Sequence, residues 1–258
     1  MLSSGLPQTV LITGATGGIG GALAIVYAKP GNTLILQGRK ADRLAELAAS
    51  CEERGARVLT KLLDVRDRVV FAAWLADVSV QEAPDLVIVN AGVNTNIGPQ
   101  GQGEQWADVE ALVEVNVLAV MATVDAVLPA MRLRGNGQIA LMSSLAGYFG
   151  LPVTPSYCAS KAAVKAYGEA LRGWLGSEGI RINVVMPGYV ESAMCKAMPG
   201  SKPFLWTPER AARVIRCGLE ANRARITFPF PLNLGTWFLA VLPAAISTRI
   251  VQWMGYRG

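Results

Sequence analysis

Short apolar runs and longer segments of helical periodicity alternate along the chain. Residues 9–13 (Thr-Val-Leu-Ile-Thr) form a β-branched run that stops at glycines, and similar runs fall at 33–37, 57–63, 86–89, 138–142, 181–186 and 225–228. Runs of this length bounded by Gly, Asn, Asp or Pro read as buried strands. Between them, residues 21–28, 41–54, 66–78, 105–133, the segment opened by Pro155 and Ser156, and 208–221 have helical character. Strands alternating with helices predict an α/β fold.

Composition narrows the picture. A chain of 258 residues can bury one full core, and no internal repeat, low-complexity segment or linker divides it. A single domain over residues 1–258 is expected, with an apolar tail from about residue 226. Apolar residues make up 52% and charged residues 17%, which excludes disorder and points to an apolar site, an oligomer interface or a membrane-facing surface. The net charge of +5 comes without a Lys/Arg run, so no nucleic-acid partner is expected. Cys51, Cys158, Cys195 and Cys217 are scattered, form no C-x-x-C pair and follow no secretory leader. Reduced thiols in a cytoplasmic protein are the expectation. Histidine is absent, which removes Ser-His triads and His-liganded zinc hydrolases. Acid-base chemistry must fall to another side chain, and no metal site is expected.

Two features carry candidate chemistry. The first is Thr13-Gly14-Ala15-Thr16-Gly17-Gly18-Ile19-Gly20, lying between a strand and a helix. That arrangement aims backbone N–H groups and a helix N-terminus at a phosphate, and a Cβ there would block the tight turn or the pyrophosphate. The second is Tyr157 with Lys161. Four residues apart on a helix, a phenol and an ammonium point into the same space. A neighbouring cation favours phenolate, and lowering a phenol from about 10 to about 7 takes roughly 4 kcal/mol. The strand at 33–37 ends in Gly38-Arg39-Lys40, with no acid where dinucleotide folds meet the adenosine ribose. Arg39 there favours NADP(H) over NAD(H), with Lys40 or Arg43 as second contacts. The alternative for Arg39 is a solvated loop charge.

Gly14, Gly18 and Gly20 form G-x-x-x-G-x-G, led by Thr13 and with Ile19 between the last two glycines. This spacing resembles the nucleotide motif of the short-chain dehydrogenase/reductase family, and further matches follow in that family's order as far as Ser192. The resemblance implies a Rossmann-type doubly wound parallel sheet with helices on both faces. It implies that Asp64, in Asp64-Val65, accepts a hydrogen bond from the adenine amino group. Asn90-Ala91-Gly92 resembles the family's N-A-G, whose Asn ties the central strand to its neighbours and whose Gly lets the backbone approach the ribose. Asn116 stands where the family's Asn holds a water linking the catalytic Lys to solvent; a helix-packing Asn is the alternative. Ser144 matches the catalytic Ser. Pro187-Gly188-Tyr189-Val190-Glu191-Ser192 resembles P-G-x-V-x-T, whose backbone caps the nicotinamide and whose hydroxyl reaches the carboxamide, with Ser192 in place of Thr.

The reaction so implied is hydride transfer between nicotinamide and a carbonyl or alcohol. Ser144 and Tyr157 would hold the oxygen, Tyr157 would pass the proton, and Lys161 would lower the tyrosine pKa and hold the ribose. Relatives often pair through the helix of Tyr157 and the preceding long helix, so a homo-oligomer, dimer or tetramer, is expected. Gly17 is a counter-signal to NADP(H), because NADP-preferring relatives often carry a basic residue in this loop. A non-catalytic dinucleotide-binding sensor or scaffold is the alternative to an enzyme.

Two apolar segments lie near the end. Residues 193–207, with Met194, Met198, Phe204 and Trp206, fit a mobile lid over an apolar substrate or a loop packed on the core. Residues 226–248 carry no charge but are interrupted by Pro229, Pro231, Gly235 and Pro243, leaving runs too short to span a bilayer. This tail is expected to be buried over the site or in an oligomer. The alternative is peripheral membrane contact, with Trp237, Phe238 and Trp253 inserted and Arg225, Arg249 and Arg257 near headgroups.

Overall fold

A computed structural model describes residues 8–98, 100–198 and 200–254. Seven parallel strands form one sheet in the order β3-β2-β1-β4-β5-β6-β7. They are β1 (Thr9–Ile12), β2 (Thr33–Gly38), β3 (Arg57–Leu62), β4 (Leu86–Val89), β5 (Gly137–Met142), β6 (Ile180–Pro187) and β7 (Arg225–Phe228). Strand order reverses between β1, which pairs with β2, and β4, which pairs with β5. Such a switch point opens a crevice at the carboxyl ends of the strands. β4 and β5 are buried at every position, as strands covered by helices on both faces must be.

The helices are α1 (Gly18–Tyr27), α2 (Ala41–Glu52), α3 (Arg68–Gln81), α4 (Trp106–Val113), α5 (Ala119–Arg134), α6 (Pro155–Leu175), α7 (Ala193–Ala197), α8 (Pro208–Glu220), α9 (Leu232–Val241) and α10 (Ala244–Trp253). On one face Leu23 and Tyr27 of α1 meet Ala211, Ile215 and Leu219 of α8. On the other, Phe71 and Leu75 of α3, Val124 and Val127 of α5, and Val164 and Leu171 of α6 share a second cluster. Each fully buried Leu, Ile, Val or Phe contributes about 1.5–3 kcal/mol, so these two layers hold the sheet between them.

Local chemistry ends the helices where the sequence allows. Asp67 accepts from the Val70 amide and starts α3 two residues later than the apolar pattern suggested. Pro155 opens α6, and Gly135, in the left-handed region at φ 61°, stops α5. The expected helix over 105–133 is interrupted: Glu114–Leu118 winds as a π-turn between α4 and α5. The stretch Trp106–Arg134 is long and apolar enough to cross a membrane, yet Leu112, Val120, Val127 and Met131 are buried in the core.

Residues 193–207 are in part the core-packed loop that was one of the two expectations. Val190 bridges Trp206, and Trp206 stacks on Phe228 of β7 with ring centres 5.1 Å apart. Beyond β7, α9 packs on the turn Leu145–Gly147 and on α10, where the Ser247 hydroxyl donates to the Leu239 carbonyl at 2.7 Å.

Candidate active site

The glycine loop is held open by side chains from three strands. Gly14 takes φ 63°, and a Cβ there would lie 2.7 Å from the Ala91 backbone, so only glycine lets the loop meet β4. Gln37, buried at the end of β2, accepts from the Gly14 amide at 2.9 Å and donates to the Leu63 carbonyl. Asn90 donates to the carbonyls of Thr13 and Gly14 at 3.1 and 3.0 Å, while the Thr13 hydroxyl accepts from the amides of Asn90 and Ala91. Gly17 caps α1 with no side chain, and the first turn holds no acid. Its opening amides therefore face outward as an anion site.

From this loop a cavity of about 580 Å³ runs along the strand ends. Gly14, Thr16, Gly18, Ile19, Arg39, Asn90, Ala91 and Gly92 line it, followed by Ser144, Tyr157 and Lys161, then Pro187, Gly188, Val190 and Ser192. Ser144 stands at the end of β5, where its hydroxyl accepts from the Ala146 amide at 3.1 Å and donates to the Pro187 carbonyl at 3.3 Å. Its side chain also faces the Tyr157 phenol, closely enough to lower that group's pKa. Lys161, one turn along α6 and 4% exposed, donates to the Met142 carbonyl at 3.0 Å. The neighbouring Ser143 hydroxyl donates to the Lys161 carbonyl at 2.7 Å, pinning α6 to β5.

Three comparisons bear on this arrangement. The sequence profile of the short chain dehydrogenase family matches residues 8–202. An uncharacterized oxidoreductase of Mycobacterium tuberculosis is 34% identical over 257 residues, covering 96% of this chain and 99% of that one. The chain belongs to the short chain dehydrogenase family. As such it is an oxidoreductase acting between alcohol and carbonyl groups. A solved short-chain dehydrogenase from Sphingobium yanoikuyae in complex with NADPH is 26% identical, with a TM-score of 0.80 over 98% of this chain and 97% of that one. A Mycobacterium paratuberculosis short chain dehydrogenase bound to NAD is 25% identical, with a TM-score of 0.74 over 88% and 98%.

The cavity fits the dinucleotide such a family uses. Its capless α1 N-terminus suits a pyrophosphate, and its β2 end presents Arg39, Lys40 and Arg43 with no carboxylate lining it. Three expected site residues lie elsewhere. Gly20 is packed, since a Cβ there would lie 2.5 Å from the Gly14 carbonyl and 2.7 Å from Asn90 Nδ2. Asp64 does not line the cavity, whereas Val65 does. Its carboxylate is taken by Arg39 at 3.3 Å and Arg66 at 2.9 Å. Burial alone would raise its pKa, but these bonds hold it down to about 2.

Asn116 is 0% exposed. Its side chain accepts from the Val93 amide at 2.9 Å, and donates to the Val93 carbonyl at 2.9 Å and to Ser160 Oγ at 3.1 Å. The amide nitrogen's two protons are thus spoken for by the chain itself, and the side chain braces the β4 loop against α6.

The expected electrostatics of Tyr157 are also corrected. Burial pushes its phenol up to about 12, with only partial relief from the Ser144 side chain. Burial pushes Lys161 down to about 8. Desolvation disfavours the charged form of each, the phenolate of one and the ammonium of the other.

The tail, expected over the site or in an oligomer, supplies part of the cavity wall through residues the sequence did not single out. Leu232, Thr236 and Leu239 of α9 line it, as do Val251 and Met254. The first three stand at i, i+4 and i+7 on one side of α9, but an apolar set on the opposite side matches helical spacing as well, so spacing alone did not single them out. Glu104 was missed as well. Its carboxylate accepts from the amide and hydroxyl of Ser156, closing the first turn of α6 one residue before Tyr157.

Proposed function

We propose that this chain is an NADP(H)-dependent reductase of an apolar ketone, also able to oxidise the corresponding alcohol. The observation that carries the reading is the meeting of the Ser144 hydroxyl, the Tyr157 phenol and Lys161 in one cavity with the glycine loop. The apolar side of that cavity, built by Leu145, Phe149, Leu151, Met194, Met198 and Leu239, supports a substrate with little polar surface.

The nicotinamide, when bound, supplies or accepts the hydride. Gly14, Thr16, Gly18, Ile19 and the α1 N-terminus would hold the diphosphate, with Arg39 and Lys40 or Arg43 on the ribose phosphate. Asn90, Ala91 and Gly92 would border the ribose, and Pro187, Gly188, Val190 and Ser192 the nicotinamide. The Ser144 and Tyr157 hydroxyls orient and polarise the substrate oxygen. A phenol pushed up to about 12 is fully protonated at neutral pH, which suits it to donate a proton to the developing alkoxide. Lys161 holds the ribose and replenishes charge behind the phenol, and Asn116 fixes the loop and helix between which the Lys161 ammonium lies.

The same reading takes the protein as cytoplasmic and as a homo-oligomer, paired through the exposed Trp106 and Leu118 of the long helical segment and Trp174 of α6. The non-catalytic alternative has no use for the Ser144–Tyr157–Lys161 set. Oxidation of NADPH, followed by its absorbance with a panel of sterol, quinone and acyl-chain ketones, tests the proposal. Turnover of at least one apolar ketone with NADPH preferred over NADH is expected; no turnover across the panel, with NADPH bound, would favour the sensor.

A further inference from the structure

The two helices that close the cavity carry a second apolar stripe facing away from it. On α9, Leu234, Trp237, Phe238 and Val241 stand at i, i+3, i+4 and i+7 and are exposed, opposite the cavity-lining Leu232, Thr236 and Leu239. α10 repeats the division: Ser247 and Val251 are buried, whereas Ile246 lies outward and Trp253 is 84% exposed. Phe230, just before α9, is 76% exposed. A helix that is apolar all round belongs in apolar surroundings, and an apolar surface of this extent marks a docking face.

The charge carried by the tail itself has one sign. From residue 221 onward the sequence contains no Asp or Glu, and its ionisable side chains include Arg223, Arg225 and Arg249. Arg225 is held by Glu169, but Arg249 on α10 is exposed and makes no ion pair among the described residues. Lys196 of α7, between cavity-lining Cys195 and Ala197, is exposed as well. Arg257 lies outside the described residues.

We propose that this face docks on an anionic phospholipid bilayer, with α9 and α10 lying in the plane of the headgroup and acyl boundary. Each helix has ten residues, about 15 Å long, half of what a hydrocarbon core about 30 Å thick requires. They can lie on the membrane but not cross it, as apolar-and-basic surface helices do. A second copy of the chain fits less well, because an isologous contact sets the same basic groups opposite each other. Docked in this way, the wall that α9 and α10 build around the cavity separates it from lipid instead of water. The inference rests on the outer stripe alone and stands apart from the reduction proposed above.

Co-sedimentation of the full chain with vesicles of equimolar phosphatidylcholine and phosphatidylglycerol tests it without any activity readout. The intact chain is expected in the pellet, with binding about tenfold weaker to pure phosphatidylcholine or at raised salt. The triple variant Trp237→Ser, Phe238→Ser, Trp253→Ser, whose sites do not line the cavity, is expected to lose binding by roughly a hundredfold with unchanged circular dichroism. An intact chain left in the supernatant overturns the proposal, and so does a folded triple variant that binds like the parent. Should the variant misfold, quenching of intact-chain tryptophan fluorescence by brominated lipid takes its place, and absence of quenching overturns the proposal. A parent that forms a larger species than the variant in the ultracentrifuge and ignores vesicles assigns the face to self-association and likewise overturns it.

Discussion

The ammonium nitrogen of Lys161 sits 5.5 Å from the centre of the Tyr157 ring. It faces the ring and gives one hydrogen bond to the Met142 carbonyl. Both groups are pushed by burial towards their neutral forms, so the pair is poised with an uncharged phenol beside an amine that loses its proton at about pH 8.

That poise has a signature in stability. The unfolded chain keeps the Lys161 proton up to about 10.5 and the folded chain only to about 8. Between these values the unfolded state binds more protons, so this group's contribution to stability rises with pH. The full separation corresponds to about 3 kcal/mol. Tyr157 acts in the opposite sense above pH about 10, where the folded state keeps a proton that the unfolded state loses. Urea unfolding of the parent and Lys161→Met at about pH 7 and pH 9.5 should show the parent gaining about 2 kcal/mol on the variant. A difference independent of pH contradicts the buried ammonium.

Arg39 should decide between the two nicotinamide cofactors. Its 3.3 Å pair with Asp64 joins an exposed guanidinium to a part-buried carboxylate and is worth about 1 kcal/mol or less, so a phosphate dianion can take the guanidinium over. Arg39→Ala is expected to weaken NADPH binding by roughly 10- to 100-fold while NADH stays within about twofold. Calorimetric titration with each cofactor reads this, and equal losses for both would remove Arg39 from the phosphate site.

Glu104 should act on turnover through helix position. With its carboxylate gone, the Ser156 amide and hydroxyl at the start of α6 lose their partner. Glu104→Ala is expected to cost about 1 kcal/mol of stability and to lower kcat with NADPH affinity unchanged, because the glycine loop is untouched. An unaltered kcat would show that α6 is fixed by Ser143 and Asn116 without this cap.

Gly20 should tolerate no side chain, for packing and not for ligand contact. Gly20→Ala places a Cβ 2.5 Å from the Gly14 carbonyl, and the expected loss is about 2–3 kcal/mol in the absence of any cofactor. Loss of cofactor affinity with stability intact would mean that Gly20 faces the ligand.

Much of this was legible from residue order. Each β-branched run became a strand of the sheet, and the glycine spacing together with Ser144, Tyr157 and Lys161 converged on one cavity. What escaped depends on partners distant in the chain. Apolar spacing is blind to one extra residue in a turn, so the π-turn around Asn116 looked like ordinary helix. Nothing in Asp64-Val65 reveals that Arg39 and Arg66 close on the carboxylate of Asp64. The sign of the Tyr157 shift depends on how deeply the sheet and α6 bury it, which four-residue spacing cannot convey. The tail defeated pattern reading for another reason: α9 is apolar on both sides, so periodicity could not say which side meets the protein.

The central claim is that Tyr157, held by Ser144 and backed by Lys161, passes the proton in carbonyl reduction. Single-turnover oxidation of bound NADPH by Tyr157→Phe, with NADPH affinity measured on the same sample, tests it most directly. The expected result is a rate lower by roughly 10³-fold with affinity within about twofold of the parent. A variant that binds NADPH and reduces substrate at a near-parent rate would contradict it.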